Sequence, residues 1–197
     1  MQQSFDTLIN SFIENKVGIS ANFLSLQLAG DLKENLLQLY SGENMLPAGT
    51  GNLQLVAHNK SVRGDVIYWL DRAHNNIHEN AFFDVMDAFI LYLNRSCYTG
   101  ITGYEFHYTL YEVGSFYKKH LDQFRNNDSR QYSMIIYLNN DWIPADGGQL
   151  AVYHKGGDAQ QIDPESGKTV FFKSCELEHE VLLTNKPRMS ITGWLKR

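Results

Sequence analysis

Cysteine and basic charge are both scarce in this chain of 197 residues. The two cysteines, Cys97 and Cys175, lie too far apart for a metal or redox motif, so we expect reduced thiols and a cytoplasmic protein. Seventeen lysines and arginines stand against 22 acidic residues, which gives a net charge of −5. This balance argues against nucleic acid as a partner, because a phosphate-binding surface needs an excess of basic residues.

Long apolar runs are absent as well. A membrane-spanning helix needs roughly 18 apolar residues, and the longest apolar run, residues 85–93, is interrupted by Asp87. The first residues (MQQSFD) lack the basic start and the apolar stretch of a secretion signal. We therefore expect a soluble protein with no membrane partner.

The spacing of apolar residues divides the chain into two kinds of segment. Up to about residue 45 the apolar side chains recur at helical spacing, and a further helix is predicted near 78–98. The length predicts a single domain over residues 1–197. It would consist of a helical N-terminal part (1–50) and a core (51–197) into which the 78–98 helix is inserted, and we favour a monomer.

Short alternating runs after this helix predict β-strands. The predicted strands cover residues 104–111, 132–138, 149–153, 169–172, 179–183 and 189–195. Two more strand-like stretches, 53–57 and 66–70, lie between the helices. Helices followed by a run of strands predict an α+β fold with a sandwich or barrel, not alternating βαβ units.

The sequence His120-Leu121-Asp122 carries the most informative chemistry. Residues two apart in a strand point to the same face, so this imidazole and carboxylate would project together. His179, at the start of a later apolar run, is the candidate third ligand. Two histidines and one carboxylate form the facial triad of non-haem Fe(II) oxygenases. His107 has no partner at ligand spacing, and we interpret it as an ordinary strand histidine.

The last predicted strand places an arginine beside this candidate triad. Arg188, Ser190, Thr192 and Trp194 share one face of the strand, and the opposite face is apolar. A guanidinium inside a barrel is costly unless an anion pairs with it, and its planar shape matches a carboxylate. The pattern therefore predicts that Arg188 binds a carboxylate ligand.

Several motifs occur in a fixed order along the chain. They are residues 63–69 (RGDVIYW), 117–122 (YKKHLD), 137–142 (YLNNDW), 147–150 (GGQL), 179–181 (HEV) and 188–194 (RMSITGW). The region that they cover, about two thirds of the chain, resembles the 2-oxoglutarate and Fe(II)-dependent dioxygenases of the prolyl 4-hydroxylase family. Within this family it is similar to the oxygen-sensing prolyl hydroxylases and their bacterial relatives.

The resemblance implies a fold and a set of site residues. The fold would be a double-stranded β-helix (jelly roll) with the N-terminal helices packed on one sheet. His120, Asp122 and His179 would be the metal ligands and the catalytic centre. The cosubstrate would be bound by Arg188, Tyr137, Thr192 and Tyr111. The substrate side would be lined by Arg130, Trp194, Tyr117 and Asp65, with Asp65 and Arg130 paired to each other.

The resemblance also implies an activity. Fe(II), 2-oxoglutarate and O2 would be required, with ascorbate as a candidate reductant, and the reaction would hydroxylate a C–H bond and release succinate and CO2. The favoured substrate is a proline-containing protein, and the family suggests a translation or transcription factor. Two alternatives stay open. One is the same chemistry on a free amino acid, another small molecule or an alkylated base, and the other is a non-catalytic jelly-roll binding protein.

Overall fold

The computed structural model describes residues 2–49, 59–123, 127–154, 156–157 and 159–197. The strand predicted at 53–57 lies outside the described residues. The described helices are α1 (Gln2–Asn15), α2 (Leu26–Ser41) and α3 (Ile77–Ser96). The strands are β1 (Val17–Ser20), β2 (Leu46–Pro47), β3 (Asp65–Trp69), β4 (Gly103–Tyr111), β5 (Tyr117–His120), β6 (Arg130–Tyr137), β7 (Leu150–Tyr153), β8 (Ala159–Ile162), β9 (Thr169–Lys173), β10 (Glu178–Val181) and β11 (Arg188–Lys196).

Polar caps fix where the longer helices begin and end. The Ser25 hydroxyl accepts from the Leu28 amide at the start of α2, and Gly42 caps its end. The Asn76 side chain accepts from the amides of His78 and Glu79 at the start of α3. The 78–98 helix of the sequence is therefore confirmed with its boundaries shifted by one or two residues.

Two antiparallel sheets face each other. The larger sheet has the strand order β1-β9-β6-β11-β4-β3-β2, and the smaller has the order β5-β10-β7-β8. From β4 to β11 the strands alternate between the sheets, as in a jelly roll, except that β7 and β8 form a hairpin within the smaller sheet. The prediction of an α+β double-stranded β-helix is confirmed.

Side-chain alternation on β11 separates the core from the cavity. Met189, Ile191 and Leu195 pack outward into a cluster that includes Leu32 of α2 and Phe82 of α3, so the helices cover the outer face of the larger sheet. The opposite face of β11 lines a cavity between the two sheets through Arg188, Thr192 and Trp194. The alternation predicted for this strand is confirmed.

Three details differ from the sequence prediction. β1 lies inside the segment predicted to be helical, where it pairs with β9 and the Ser11 hydroxyl bonds to the backbone of Val17 and Ile19. β2 and β8 were not predicted. β5 ends at His120, so Asp122 lies just beyond the strand, not within it. Strands of four residues are too short to carry a clear period.

None of the helices in the described residues combines the length and the apolar character that a membrane span requires.

Gly193 allows β11 and β4 to pack closely. A Cβ atom at this position would lie 2.2 Å from the Glu105 carbonyl oxygen and 2.2 Å from Cδ1 of Phe106. We expect Gly193→Ala to lower the free energy of unfolding by about 1–3 kcal/mol, because the backbone of β4 has to shift. Urea unfolding followed by circular dichroism measures this change.

Gly30→Ala is the matched control for this substitution. Gly30 lies in α2 with no heavy atom within 4 Å of an added Cβ, so alanine should stabilise the helix by up to about 1 kcal/mol. If Gly193→Ala unfolded with the same free energy as the native chain, the close approach of β11 and β4 would be wrong.

Candidate active site

Two strands and a bend bring His120, Asp122 and His179 together. His120 ends β5 and is the register partner of His179 in β10. The Asp122 carboxylate lies 3.4 Å from Nε2 of His120 and 3.5 Å from Nε2 of His179. One ligand atom from each residue lies within 4.8 Å of the others. Atoms that share one metal ion at about 2.0–2.2 Å lie roughly 3–4 Å apart, so the three side chains fit a single ion.

Backbone carbonyls orient both imidazoles. Nδ1 of His120 lies 2.8 Å from the Lys118 carbonyl, and Nδ1 of His179 lies 3.2 Å from that of Leu177. A carbonyl can only accept, so each Nδ1 donates and each Nε2 is left as the metal-binding nitrogen. Burial lowers the pKa of His179, although Asp122 has the opposite effect. The lowered pKa favours the neutral imidazole, which is the form that binds a metal.

A hydroxyl pair holds the Asp122 carboxylate. Ser133 Oγ donates to Asp122 Oδ2 at 2.6 Å and lies 2.9 Å from Ser174 Oγ. Burial alone would raise the pKa of Asp122, but His179, His120 and this hydroxyl together hold it well below its usual range. The carboxylate is therefore charged at neutral pH, as a metal ligand must be. Sequence analysis missed Ser133, although it shares the inward face of β6 with Tyr137.

A second layer of contacts supports His120. The Tyr117 ring stacks on the His120 ring with centroids 3.6 Å apart, and the Arg63 guanidinium lies 4.2 Å from the Tyr117 centroid. Arg63 in turn bonds both carboxylate oxygens of Asp65, at 2.7 and 2.5 Å, and Asp65 is buried. Asp65 thus acts on the site through Arg63 and Tyr117.

The predicted pairing of Asp65 with Arg130 is wrong. Arg130 bonds Glu105 at 2.9 Å, and Glu105 also accepts from Lys196. The cause is strand order: Glu105 and Arg130 both lie beside the same end of β11, whereas Asp65 lies at the other end, level with Arg188.

Removing the Tyr117 ring should weaken metal binding. We expect Tyr117→Ala to raise the Kd for Mn²⁺ by about tenfold or more, since groups that orient a metal ligand typically contribute 10–100-fold. Tyr117→Phe keeps the stacked ring and should bind Mn²⁺ as the native chain does. Isothermal titration calorimetry decides the matter, and an unchanged Kd in Tyr117→Ala would show that the stacking does not support His120.

A buried arginine marks the other end of the cavity. Arg188 is 1% exposed, and its Nε donates to the Gly148 carbonyl at 2.8 Å. Among the described residues its Nη2 has no hydrogen-bond partner, and neither has the buried hydroxyl of Tyr137. The rings of Tyr111 and Tyr137 lie 5.1 and 5.0 Å from the guanidinium carbon. A buried cation with free donors fits an anionic carboxylate, as the distal end of 2-oxoglutarate provides.

A glycine pair with an unusual backbone conformation lies beside this arginine. Gly147 and Gly148 have φ of 70° and 65°, a region that side chains disfavour. A Cβ at Gly148 would lie 3.1 Å from Cδ of Arg188 and 2.9 Å from Oγ1 of Thr184. Gly148 of the 147–150 motif therefore makes room for Arg188, whereas a Cβ at Gly147 would meet the Leu183 carbonyl instead.

Thr192 and Tyr111, two of the predicted cosubstrate residues, also line the cavity. Thr192 lies two residues beyond Ser190, with the two hydroxyl oxygens 3.2 Å apart. Burial raises the pKa of Tyr111 and of Tyr137, in both cases against the opposing effect of Arg188. Both phenols are therefore neutral donors at physiological pH.

Two of the predicted substrate residues, Arg130 and Trp194, lie at the far end of β11, whereas Asp65 lies at the Arg188 end. The Arg130 guanidinium stacks 3.4 Å above the Trp194 ring, and Trp194 Nε1 is buried with no hydrogen-bond partner among the described residues. Burial would raise the pKa of Glu105, but Lys196 and Arg130 lower it, so this carboxylate stays charged. The cavity, about 1050 Å³, contains the triad, the arginine end and this aromatic end together. His107, Thr109 and Trp69 also line it and were not predicted.

An antiparallel double-stranded β-helix with two histidines and one carboxylate at its mouth defines the class of facial-triad oxygenases. The family profile of the 2OG-Fe(II) oxygenase superfamily matches residues 106–196, a range that includes the triad and Arg188. A prolyl-4-hydroxylase from Pseudomonas putida is similar over 98% of both chains, with 31% identity and a TM-score of 0.88. The chain belongs to the 2OG-Fe(II) oxygenase superfamily and is prolyl hydroxylase-like.

Two further relatives support this placement. A prolyl hydroxylase from Trichoplax adhaerens, solved with a peptide fragment of hypoxia inducible factor, is 26% identical, with a TM-score of 0.86 over 99% of this chain and 90% of the other. Human Egl nine homolog 1 is 28% identical over an alignment of 155 positions that covers 69% of this chain. The match spans only 33% of that longer protein. The family requires Fe(II), 2-oxoglutarate and O2, as the sequence predicted.

Proposed function

We propose that this protein is a 2-oxoglutarate/Fe(II)-dependent dioxygenase that hydroxylates prolyl residues of a protein substrate, at C4, with release of succinate and CO2. The likeness to the prolyl-4-hydroxylase of Pseudomonas putida over nearly the whole chain supports the reaction. The bound peptide of the Trichoplax adhaerens relative supports the substrate class.

The single observation that carries the proposal is a cavity with two chemically different ends. Arg188 and Trp194 are six residues apart on one face of β11, which separates them by roughly 20 Å. The carboxylate-binding end at Arg188 suits the cosubstrate. The aromatic end at Trp194 suits a substrate ring. The metal ligand Asp122 lies near this end, because it accepts a hydrogen bond from Ser133, and Ser133 is the register partner of Trp194.

Each of the predicted site residues then has a role. His120, Asp122 and His179 would hold Fe(II), which supplies oxygen activation when it is bound together with the 2-oxo acid. Arg188 would bind the distal carboxylate with the Tyr137 hydroxyl, and Thr192 and Tyr111 would line the cosubstrate. Arg130, Trp194 and Tyr117 would contact the substrate, while Asp65 positions Arg63 and Tyr117.

The size of the cavity favours a peptide over a small molecule. At about 1050 Å³ it is at the upper end of the usual range for small-ligand sites. It also extends past the partly exposed Trp69 to the exposed Leu46 of edge strand β2. An extended peptide can lie along such an open groove, whereas a free amino acid would leave most of it empty.

Oxygen transfer to a defined substrate tests the proposal. The purified protein would be incubated with Fe(II), 2-oxoglutarate and ¹⁸O2, with a panel of proline-containing peptides in one arm and free amino acids in the other. We expect succinate and one labelled oxygen on a prolyl ring in the peptide arm. Label found only in a free amino acid would favour the small-molecule alternative. If 2-oxoglutarate were neither bound nor consumed, a binding protein would be favoured instead.

We also propose that the enzyme is stimulated by ascorbate, is cytoplasmic and is a monomer. The proposed target is a translation or transcription factor. Ascorbate is the simplest to test, since repeated turnover should slow without it.

A further inference from the structure

An imidazole lies inside the cavity without a role in the mechanism above. His107 is 3% exposed and points from β4 into the same cavity as the metal triad. Its ring meets that of Trp69 edge-on at 4.9 Å and that of Trp194 at 5.7 Å. His107 is therefore one wall of an aromatic box next to the predicted substrate residues.

The contacts of its two ring nitrogens differ. Nδ1 lies 3.2 Å from the Tyr108 carbonyl and 2.9 Å from Oγ1 of Thr109. The carbonyl can only accept, so this contact assigns the hydrogen to Nδ1. Nε2 is then an acceptor, and it has no partner among the described residues.

The surroundings keep the ring neutral. Burial lowers the pKa of His107 to about 4, and the positive charges of Arg63 and Arg130 lower it as well. The hydrogen bond to the Tyr108 carbonyl and the charge of Asp65 oppose this effect. Nε2 is thus available as an acceptor across the physiological pH range.

An acceptor that faces the cavity selects for a donor on the ligand. A prolyl residue has no N–H of its own, so a peptide can supply this donor only from a neighbouring residue. We propose that His107 is a specificity-determining residue whose Nε2 accepts a hydrogen bond from the backbone N–H of a residue that flanks the target proline. The inference rests on the proposed function and adds a requirement for that N–H. A bound peptide without it would cover this acceptor and leave it unpaired, at a cost of about ten- to hundredfold in kcat/KM.

The first test needs no substrate. Nitrogen-15 NMR of histidine-labelled protein, with His107→Gln to assign the signal, reports which ring nitrogen carries the hydrogen. We expect the Nδ1–H form of His107 with no titration between about pH 5 and pH 8. An Nε2–H form, or protonation within this range, would overturn the proposal.

The second test uses matched peptides. Each peptide that the native enzyme hydroxylates would be compared with versions N-methylated at the residue before or after the proline. The native enzyme should lose at least about tenfold in kcat/KM on one of these methylations. His107→Phe should treat the methylated and unmethylated peptides alike, while His107→Gln, which keeps an acceptor, should retain part of the discrimination. The KM for 2-oxoglutarate should stay near the native value in both variants.

His154→Gln is the matched control, because this imidazole bonds to Gln160 and does not line the cavity. It should discriminate between the peptides as the native enzyme does. Discrimination that survives in His107→Phe would overturn the inference while leaving prolyl hydroxylation intact. If the native enzyme hydroxylated no peptide, the proposed function would fail first and this inference with it.

Discussion

Asp122→Ala is expected to abolish hydroxylation, with a loss in kcat of at least about 1,000-fold, or roughly 4 kcal/mol in activation free energy. The substitution removes the only anionic ligand of the triad and leaves two histidines to hold the ion. The fold should persist, because Ser133 keeps its contact with Ser174, but the loss of the hydrogen-bonded carboxylate should lower the free energy of unfolding without metal by about 1–3 kcal/mol.

Turnover of 2-oxoglutarate and the Kd for Mn²⁺ measure this effect, and urea unfolding checks the fold. Asp84→Ala, which removes an exposed carboxylate on α3, is the control and should retain full activity. A native rate in Asp122→Ala would mean that the metal is bound elsewhere.

Arg188→Lys is expected to raise the KM for 2-oxoglutarate by at least about tenfold, or roughly 1.4 kcal/mol. Lysine keeps the positive charge but loses the planar pair of donors, and the Nε contact to Gly148 is lost with it. The Tyr137 hydroxyl would remain as a single donor at this end of the cavity.

Arg130→Ala and Trp194→Ala act at the other end and separate the two functions of the cavity. Glu105 keeps Lys196 as a partner when Arg130 is removed, so no charge is left unpaired. These variants should impair hydroxylation of a proline peptide and leave the KM for 2-oxoglutarate near the native value. Equal weakening of 2-oxoglutarate by Arg130→Ala and Arg188→Lys would contradict the division of the cavity into two ends.

Much of this site could be predicted from the sequence because strand geometry is simple. The two-residue period of β11 placed Arg188, Thr192 and Trp194 on one face, and the structure has them lining one cavity. The spacing of His120 and Asp122 also brought the two ligands together, even though the strand ends between them. His179 was predicted as the start of a later apolar run and was supported by the order of the family motifs, because no local pattern connects it to the other two ligands.

Contacts that depend on strand order could not be predicted. The pairing of Asp65 with Arg63 instead of Arg130 follows from which strands flank β11, and no local pattern encodes this order. His107 and Ser133 were missed for a different reason. Alternation along β4 and β6 places both side chains inside the barrel. The sequence was searched for residues at metal-ligand spacing, and such a search does not find Ser133, which bonds a metal ligand, or His107, which faces the cavity.

A crystal structure with Mn²⁺ and 2-oxoglutarate bound under anaerobic conditions tests the central claim most directly. The account predicts the metal at about 2.0–2.2 Å from Nε2 of His120, Nε2 of His179 and one Asp122 oxygen. It also predicts the distal carboxylate of 2-oxoglutarate on Arg188 and the Tyr137 hydroxyl. A metal bound away from these three side chains, or a cosubstrate carboxylate on Arg130, would contradict it.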